Sequence, residues 1–183
     1  TSSQKGVLSI VKPRLAATGN SNYGWFGGGG FPAALTTVDR IDFANDSATA
    51  SVRGTLSQAR NGLSATGNSN YGWFGAGMVG GVANVPTAGP AHSTVQRIDF
   101  SNDNTLTSVR GPLSIPLSAS RYYQWAATGN SNYGWFGGGY KISPQTIYST
   151  VDRIDFSNDS ANASVRGPLG LAKYGPGATA NSN

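Results

Sequence analysis

The sequence contains no cysteine and no glutamate, and lysine occurs only at positions 5, 12, 141 and 173. Without cysteine the chain has no disulfides, no thiolate catalysis and no zinc sites built on thiolates. All eight acidic residues are aspartates. Because glutamate and lysine are the usual surface residues of helices, their scarcity favours an all-β chain.

Charged residues and long apolar runs are also scarce. Charged residues make up 11% of the chain, against about 25% in an average soluble domain. No apolar run approaches the roughly 20 residues that cross a bilayer, so we expect no membrane span. The net charge is +5, but the arginines are scattered through the chain. A nucleic-acid binder more often carries a basic stripe, so we expect no nucleic-acid partner.

The main feature of the sequence is a tandem repeat. The block Ala-Thr-Gly-Asn-Ser-Asn-Tyr-Gly-Trp-Phe-Gly occurs unchanged at residues 17–27, 65–75 and 127–137. A second block ends in Ile-Asp-Phe, a third reads Ser-Val-Arg-Gly, and only the stretches between blocks vary in length. Loops absorb such insertions. The sequence therefore predicts one repeat array over residues 1–183, with units at about 14–57, 60–114 and 121–169 and a partial unit at each end.

Each unit is expected to form four antiparallel strands. In the first unit these are residues 14–18, 23–28, 38–43 and 49–56, and the polar Gly-Asn-Ser-Asn stretch makes a tight turn between the first two. Tyr23 and Trp25 share one face of the second strand, while Phe26 takes the other. Apolar groups on both faces predict sheets that are covered on both sides, as in stacked blades.

The order of these features resembles the Kelch repeat, whose units are four-stranded blades of a β-propeller. The matching positions are an arginine before the first strand, a double glycine after the second, and an aromatic residue after the third: Arg14, Arg60, Arg121; Gly28-Gly29, Gly138-Gly139; Phe43, Phe100, Phe156. The second unit departs from the pattern with Gly75-Ala76-Gly77, and no tryptophan follows the aromatic position. The resemblance implies Kelch-like propeller blades.

The amino-acid sequence of the repeat is also similar to repeat arrays in large virion and tail-associated proteins of marine tailed phages. That similarity covers nearly the whole chain. It implies a virion or extracellular location. Three units are too few to close a propeller ring, so the expected partners are other protein subunits or further blades of the same assembly.

Aromatic residues and arginines of the repeat are the candidates for the structural core: Trp25, Phe26, Trp73, Phe74, Trp135, Phe136, Arg53, Arg110 and Arg166. A buried guanidinium without a partner is costly. Each arginine is therefore expected to pair with an aspartate of its own or the next unit, with Asp42, Asp99 and Asp155 as candidates. Contact with a ligand is the alternative for these arginines.

Two polar sets are candidates for ligand binding. Paired aspartates in each unit could hold calcium, which takes six to eight oxygen ligands, although the same residues are typical of turns: Asp42, Asp46, Asp99, Asp103, Asp155 and Asp159. Asparagines at the hairpin tips could bind glycan hydroxyls: Asn20, Asn22, Asn68, Asn70, Asn130 and Asn132. No cofactor is expected, and calcium is the one alternative. The one histidine, His92, is expected to be an exposed loop residue.

These features predict a non-enzymatic structural or binding scaffold, because nearly all polar residues come in triplicate and leave no distinct reaction centre. The first hypothesis is a virion-associated propeller protein of the tail or surface that mediates assembly or host-surface contact. A lectin-like adhesin that recognises cell-surface glycan is one alternative. A secreted extracellular filament subunit is the other.

Overall fold

A computed structural model describes residues 5–79, 92–114, 122–123, 126–141, 146–173, 175 and 177–179. The chain is all-β, with 41% of the described residues in strands. These residues form three four-stranded antiparallel sheets and one smaller three-stranded sheet. The predicted all-β class and the four-stranded antiparallel units are thereby confirmed.

The first repeat unit, called unit one, forms a simple meander. Its strands are β1 (Ala16–Gly19), β2 (Tyr23–Gly27), β3 (Thr37–Asp42) and β4 (Ser51–Thr55), which pair in chain order. A short 3₁₀ helix, η1 (Phe43–Asn45), follows β3.

Units two and three repeat this meander. Unit two contains β5 (Ser64–Gly67), β6 (Tyr71–Gly75), β7 (Val95–Asp99), η2 (Phe100–Asn102) and β8 (Ser108–Arg110). Unit three contains β10 (Ala126–Gly129), β11 (Tyr133–Gly137), β14 (Val151–Asp155), η3 (Phe156–Asn158) and β15 (Ser164–Arg166). Three further strands, β9 (Tyr122–Tyr123), β12 (Tyr140–Lys141) and β13 (Thr146–Ile147), make the small sheet.

The hairpin between the first two strands is set by one asparagine. In unit one the side-chain oxygen of Asn20 accepts from the backbone N–H groups of Asn22 and Tyr23, and the Asn20 N–H bonds the Tyr23 carbonyl. An asparagine that binds its own backbone in this way is typical of tight turns. Asn68 and Asn130 do the same in the other units. The predicted turn is therefore present in all three units.

The third strand ends one residue earlier than predicted. Asp42 caps η1 by accepting from the Ala44 N–H at 2.9 Å, so Phe43 opens a 3₁₀ turn instead of closing a strand. Asp99 and Asp155 cap η2 and η3 in the same way. A side-chain oxygen that satisfies a free N–H at a helix start explains why the aspartate recurs at this position. The fourth strand is also shorter than predicted, since β4 spans Ser51–Thr55.

The hydrophobic cores lie between the units and not inside them. One buried cluster joins four residues of unit one to three of unit two: Ala16, Trp25, Val38 and Leu56 with Leu63, Phe74 and Ile98. A second cluster joins unit two to unit three: Trp73, Ala76, Val95 and Leu113 with Phe136, Ile154 and Ala163. Each sheet therefore buries its apolar face against the next sheet, as repeat proteins do.

The first strands of the units lie side by side. β5 contacts β1 on one side and β10 on the other. Close packing of these strands depends on glycine, because a Cβ on Gly67 would meet the Thr18 hydroxyl oxygen at 2.4 Å. In the described ranges, no helix has the length and apolar character needed to span a membrane.

Candidate functional site

The tryptophans of units one and two stack on a phenylalanine of the following unit. The Trp25 and Phe100 ring centroids are 3.8 Å apart, with 7° between the planes. Trp73 and Phe156 repeat the arrangement at 3.8 Å and 5°. Both indoles are fully buried. Aromatic pairs contribute roughly 0.5–1.5 kcal/mol beyond the burial of their area, so each pair holds two units together.

A buried carboxylate of the following unit binds the same indole and two arginines. Asp103 Oδ2 accepts from Trp25 Nε1 at 2.8 Å and from Arg40 Nη1 at 3.0 Å. Arg53 Nε lies 3.8 Å from the same oxygen. Asp103 is 4% exposed, so its charge is compensated by unit one and not by water.

The contact between units two and three repeats this geometry. Asp159 Oδ2 accepts from Trp73 Nε1 at 2.8 Å and from Arg97 Nη1 at 3.1 Å, and Arg110 Nε lies 3.5 Å away. We call such a set of five side chains a joint, with one tryptophan and two arginines from one unit and one phenylalanine and one aspartate from the next. The two joints are Trp25, Arg40, Arg53, Phe100, Asp103 and Trp73, Arg97, Arg110, Phe156, Asp159.

A glycine beside the second arginine of each joint lets the backbones approach. A Cβ on Gly54 would lie 1.8 Å from the Thr105 carbonyl oxygen, and one on Gly111 would lie 1.8 Å from that of Ala161. The Gly54 N–H also donates to the Asp103 carbonyl at 2.6 Å. The Arg-Gly pair of the third repeat block is therefore a joint element: the arginine binds the carboxylate, and the glycine makes room for it.

The prediction that these arginines pair with an aspartate of their own or the next unit is confirmed for Arg53 and Arg110, but the candidate aspartates were wrong. Arg53 and Arg110 pair with Asp103 and Asp159, whereas Asp42, Asp99 and Asp155 cap the 3₁₀ helices. The reason is the stacking of the units, which brings the turn after η2 or η3 against the preceding sheet.

The predicted core residues divide according to whether a neighbouring unit covers them. Full burial is found for Trp25, Trp73, Phe74 and Phe136. Half-buried positions are Phe26, Trp135, Arg53 and Arg110. Arg166 is exposed, which contradicts its expected place in the core. In the described part of the chain no unit follows unit three, and this explains the exposure of Arg166 and Trp135.

The calcium candidates have other roles in this structure. Asp42, Asp99 and Asp155 accept from backbone N–H groups as caps. Hydrogen bonds from the Ser101 and Ser157 hydroxyls hold the pKa values of Asp99 and Asp155 below the usual range. Within the described ranges, no group of three or more acidic, histidine or cysteine residues is arranged to hold a metal ion. The expectation of no cofactor, with calcium as the alternative, stays a prediction.

A buried cation lies in each of the first two units, and in unit one it is not the arginine that the sequence predicts. Arg60 is fully buried and donates from Nη1 to the carbonyls of Ala76 and Thr94. In unit one the corresponding donor is Lys12, which bonds the carbonyls of Phe26 and Thr37. Arg14 is therefore not the counterpart of Arg60. The shared signal is the spacing Gly-x-Leu-x-x-x-Lys/Arg, at residues 6–12, 54–60 and 167–173.

Burial shifts the proton affinity of both cations. Desolvation lowers the pKa of the Arg60 guanidinium to about 10. Desolvation also lowers the pKa of Lys12, against the opposing pull of Asp39, whose carboxylate lies 3.3 Å from Nζ. Ser9 completes this site by donating its N–H and its hydroxyl to the Asp39 carboxylate at 2.9 and 2.7 Å. The arrangement is a charge-compensated structural site.

His92 is partly buried instead of exposed as expected. Its backbone N–H donates to the Gly77 carbonyl at 3.0 Å. Burial, and secondarily the charge of Arg60, lowers the pKa of the imidazole below its ordinary value. The imidazole therefore stays neutral near pH 7.

The hairpin-tip asparagines are mainly structural. Besides forming the turns, Asn20 Nδ2 reaches the Ser69 carbonyl and Asn68 Nδ2 reaches that of Ser131, each at 3.4 Å. The carbonyl groups of Asn22, Asn70 and Asn132 accept from the first N–H of the following 3₁₀ helix. The tips are thereby linked to each other and to these helices.

A shallow groove of about 300 Å³ lies between the tips of units two and three. Its lining combines aromatic rings with amide, hydroxyl and carboxylate groups: Asn68, Tyr71, Ser131, Asn132, Tyr133, Asp155, Phe156 and Ser157. Arg153 covers one face of the Tyr133 ring, with its guanidinium carbon 4.1 Å from the centroid. The groove brings together two of the predicted asparagines, Asn68 and Asn132.

Comparisons with known proteins give this chain no family. No model of a known protein family matches it, and a search of curated proteins also found no match.

We predict that Asp103→Ala lowers the free energy of unfolding by about 3 kcal/mol, because it leaves a buried indole N–H and an arginine without their acceptor. The matched control is Asp46→Ala. Asp46 occupies the same position in unit one, but its side chain is 45% exposed, so we expect a change within about 0.5 kcal/mol. Denaturant unfolding measures both. Equal effects of the two substitutions would show that the joint does not stabilise the array.

Proposed function

We propose that the chain is a non-enzymatic scaffold of Kelch-like propeller blades. It belongs to a virion-associated or extracellular assembly, at a phage tail or surface, and mediates assembly or host-surface contact. The main support is that the buried aspartates of the joints bind the neighbouring unit. Asp103 and Asp159 are occupied by tryptophan and arginine of the preceding unit. Such contacts hold units together.

The propeller arrangement is supported by how the sheets stack. The four-stranded sheets lie face to face, and their first strands, β1, β5 and β10, adjoin in order. A propeller places the first strands of its blades around a central axis. Propellers usually have four to eight blades, and three four-stranded units are described in this chain. Further blades are therefore expected, from other protein subunits or from further units of the same assembly.

The loops between the second and third strands are the surfaces offered to partners. In unit one this loop covers residues 30–36, and Phe31 within it is 54% exposed. In unit three it includes β12 and β13, where Ile147 is 47% exposed. The counterpart in unit two, residues 78–93, lies mostly outside the described residues. Loops that vary on a constant scaffold are where binding functions usually reside.

Electron microscopy of the assembled protein tests this proposal. We expect particles in which four-stranded blades radiate from a common axis, with more blades than one chain supplies. Particles whose sheets stack without a common axis would contradict the propeller arrangement. A uniform population of isolated single chains under all conditions would contradict the scaffold function.

Glycan binding is a second candidate function, which the groove between the tips of units two and three favours. Sugars stack on aromatic faces and bond to amide and carboxylate groups, and the groove combines Tyr133 and Phe156 with Asn68, Asn132 and Asp155. The site is open and shallow, as a site for the end of a surface glycan would be.

A glycan array separates this function from a purely structural one. If the groove binds glycan, wild-type chain is retained on a defined set of glycans and Asn132→Ala loses that retention. Asn22→Ala is the matched control, because Asn22 has the same place in unit one, where no preceding tip is described. No retention of wild-type chain on any glycan would exclude the lectin function for this chain.

A further inference from the structure

The two outer faces of the array are the separated halves of a third joint. Unit three carries Trp135, Arg153 and Arg166, which correspond to the tryptophan and arginines of a joint. Unit one carries Phe43 and Asp46, which correspond to its phenylalanine and aspartate. We call these sets the trailing face and the leading face. Within the described ranges neither face has the indole–phenyl stack of the internal joints, and Asp46 is paired with Lys5 in place of two arginines.

Exposure shows that both faces are open. Phe43 is 51% exposed, whereas Phe100 and Phe156 are half-buried under the preceding indoles. The Asp46 side chain is 45% exposed, against 5% for Asp103 and 7% for Asp159.

On the trailing face, Trp135 is only half-buried while Trp25 and Trp73 are fully buried. Its indole therefore lacks the cover that the following unit gives the other two.

The space around the glycines at the contacts between units also shows where the trailing face is uncovered. A Cβ on Gly54 or Gly111 would collide with the next unit at 1.8 Å, whereas one on Gly167 would meet nothing within 4 Å. Likewise a Cβ on Gly27 or Gly75 would touch a phenylalanine of the next unit within 3 Å, and one on Gly137 would not. Beside Gly137 and Gly167 the trailing face thus keeps space for a neighbouring unit.

We propose that a second copy of this chain docks its leading face on the trailing face of the first. This inference rests on the proposed scaffold function and names the partner. The faces match in chemistry, because an indole meets a phenyl ring and two arginines meet a carboxylate, as in the internal joints. The contact is head-to-tail. Copies related by it form a closed ring if the rotation between successive copies adds up to a full turn, and an open filament if it does not.

Two segments must move for this contact to form. On the trailing side, the Thr179 carbonyl accepts from the Thr128 hydroxyl of β10, where the first strand of a docking copy would lie. The other segment lies on the leading side. Residues 5–12 already lie on unit one as the end of a preceding unit would: Lys5 is 3.5 Å from Asp46, the Gly6 N–H bonds the Asp46 carbonyl, and Ser9 bonds Asp39. Residues 166–173 of a second copy, which we call the docking segment, share the Gly-x-Leu-x-x-x-Lys spacing of residues 6–12. They would bind the same surface of unit one.

The docking segment has the advantage of being preformed. It is held on its own unit by bonds from the Leu169 N–H to the Ser149 carbonyl and from the Gly139 N–H to the Lys173 carbonyl. Equivalent bonds hold Leu56 and Arg60 in unit one. Residues 5–12 are therefore a placeholder that the second copy displaces. The hydroxyl bond of Ser9 opposes this exchange, since the corresponding Gly170 has no hydroxyl.

Sedimentation velocity over a range of concentrations, with four variants of the full chain, tests this proposal. Asp46→Arg blocks the leading face and Arg153→Glu blocks the trailing face, so each alone is expected to be monomeric. Mixed in equal amounts, they still present one intact face of each kind and form a mixed dimer that grows no further. Ser69→Arg changes an exposed tip in unit two and is expected to associate like wild type. Circular dichroism melts confirm that each variant folds.

Ser9→Ala gives a result that a purely structural role does not predict. Because the placeholder loses a bond that the docking segment never makes, association becomes several-fold tighter. A wild-type chain that stays monomeric would overturn the proposal, and so would blocked variants that still associate alone. In the latter case the scaffold function stands and its contact lies elsewhere. Blocked variants that fail to pair when mixed would also overturn it.

Discussion

The array depends on a single carboxylate oxygen in each joint. Asp103 Oδ2 accepts from an indole and an arginine of the preceding unit and lies near a second arginine, and Asp159 Oδ2 does the same one unit later. A buried charge is tolerated only with compensation of this kind. The carboxylate also fixes the position of the indole, which then covers the phenylalanine. Electrostatic and aromatic contacts therefore select the same relative placement of neighbouring units.

This dependence follows from where the apolar surface lies. A four-stranded sheet alone has no interior, and both buried clusters join residues of successive units. Each unit therefore gains most of its burial from its neighbours, and stability is close to a sum of contacts between successive units. The glycines at positions 54 and 111 serve the same end, because any side chain there would separate the backbones that the carboxylate holds together.

Much of this could be predicted from the sequence, because it is local. Asn20 sets its hairpin through bonds to residues two and three positions away, and alternation along β2 correctly assigns Trp25 and Phe26 to opposite faces. The joint could not be predicted in this way. Asp103 lies 78 residues from Trp25, and only the offset between stacked sheets decides that it, and not Asp99, meets the indole. The match of Arg14 with Arg60 failed because Arg60 lies four residues before the first strand of its unit, as Lys12 does, whereas Arg14 lies two residues before β1. Arg166 repeats the sequence around Arg53, yet the surroundings of the two arginines differ.

Hydrogen exchange of the indole N–H groups, followed by NMR in dilute solution, tests the central claim most directly. Trp25, Trp73 and Trp135 lie in identical eleven-residue blocks, so local sequence gives them equal exchange rates, and Trp→Phe substitutions assign their signals. The account predicts slow exchange for Trp25 and Trp73, whose N–H groups are bonded to buried carboxylates, and fast exchange for Trp135. Equal rates for all three would contradict it.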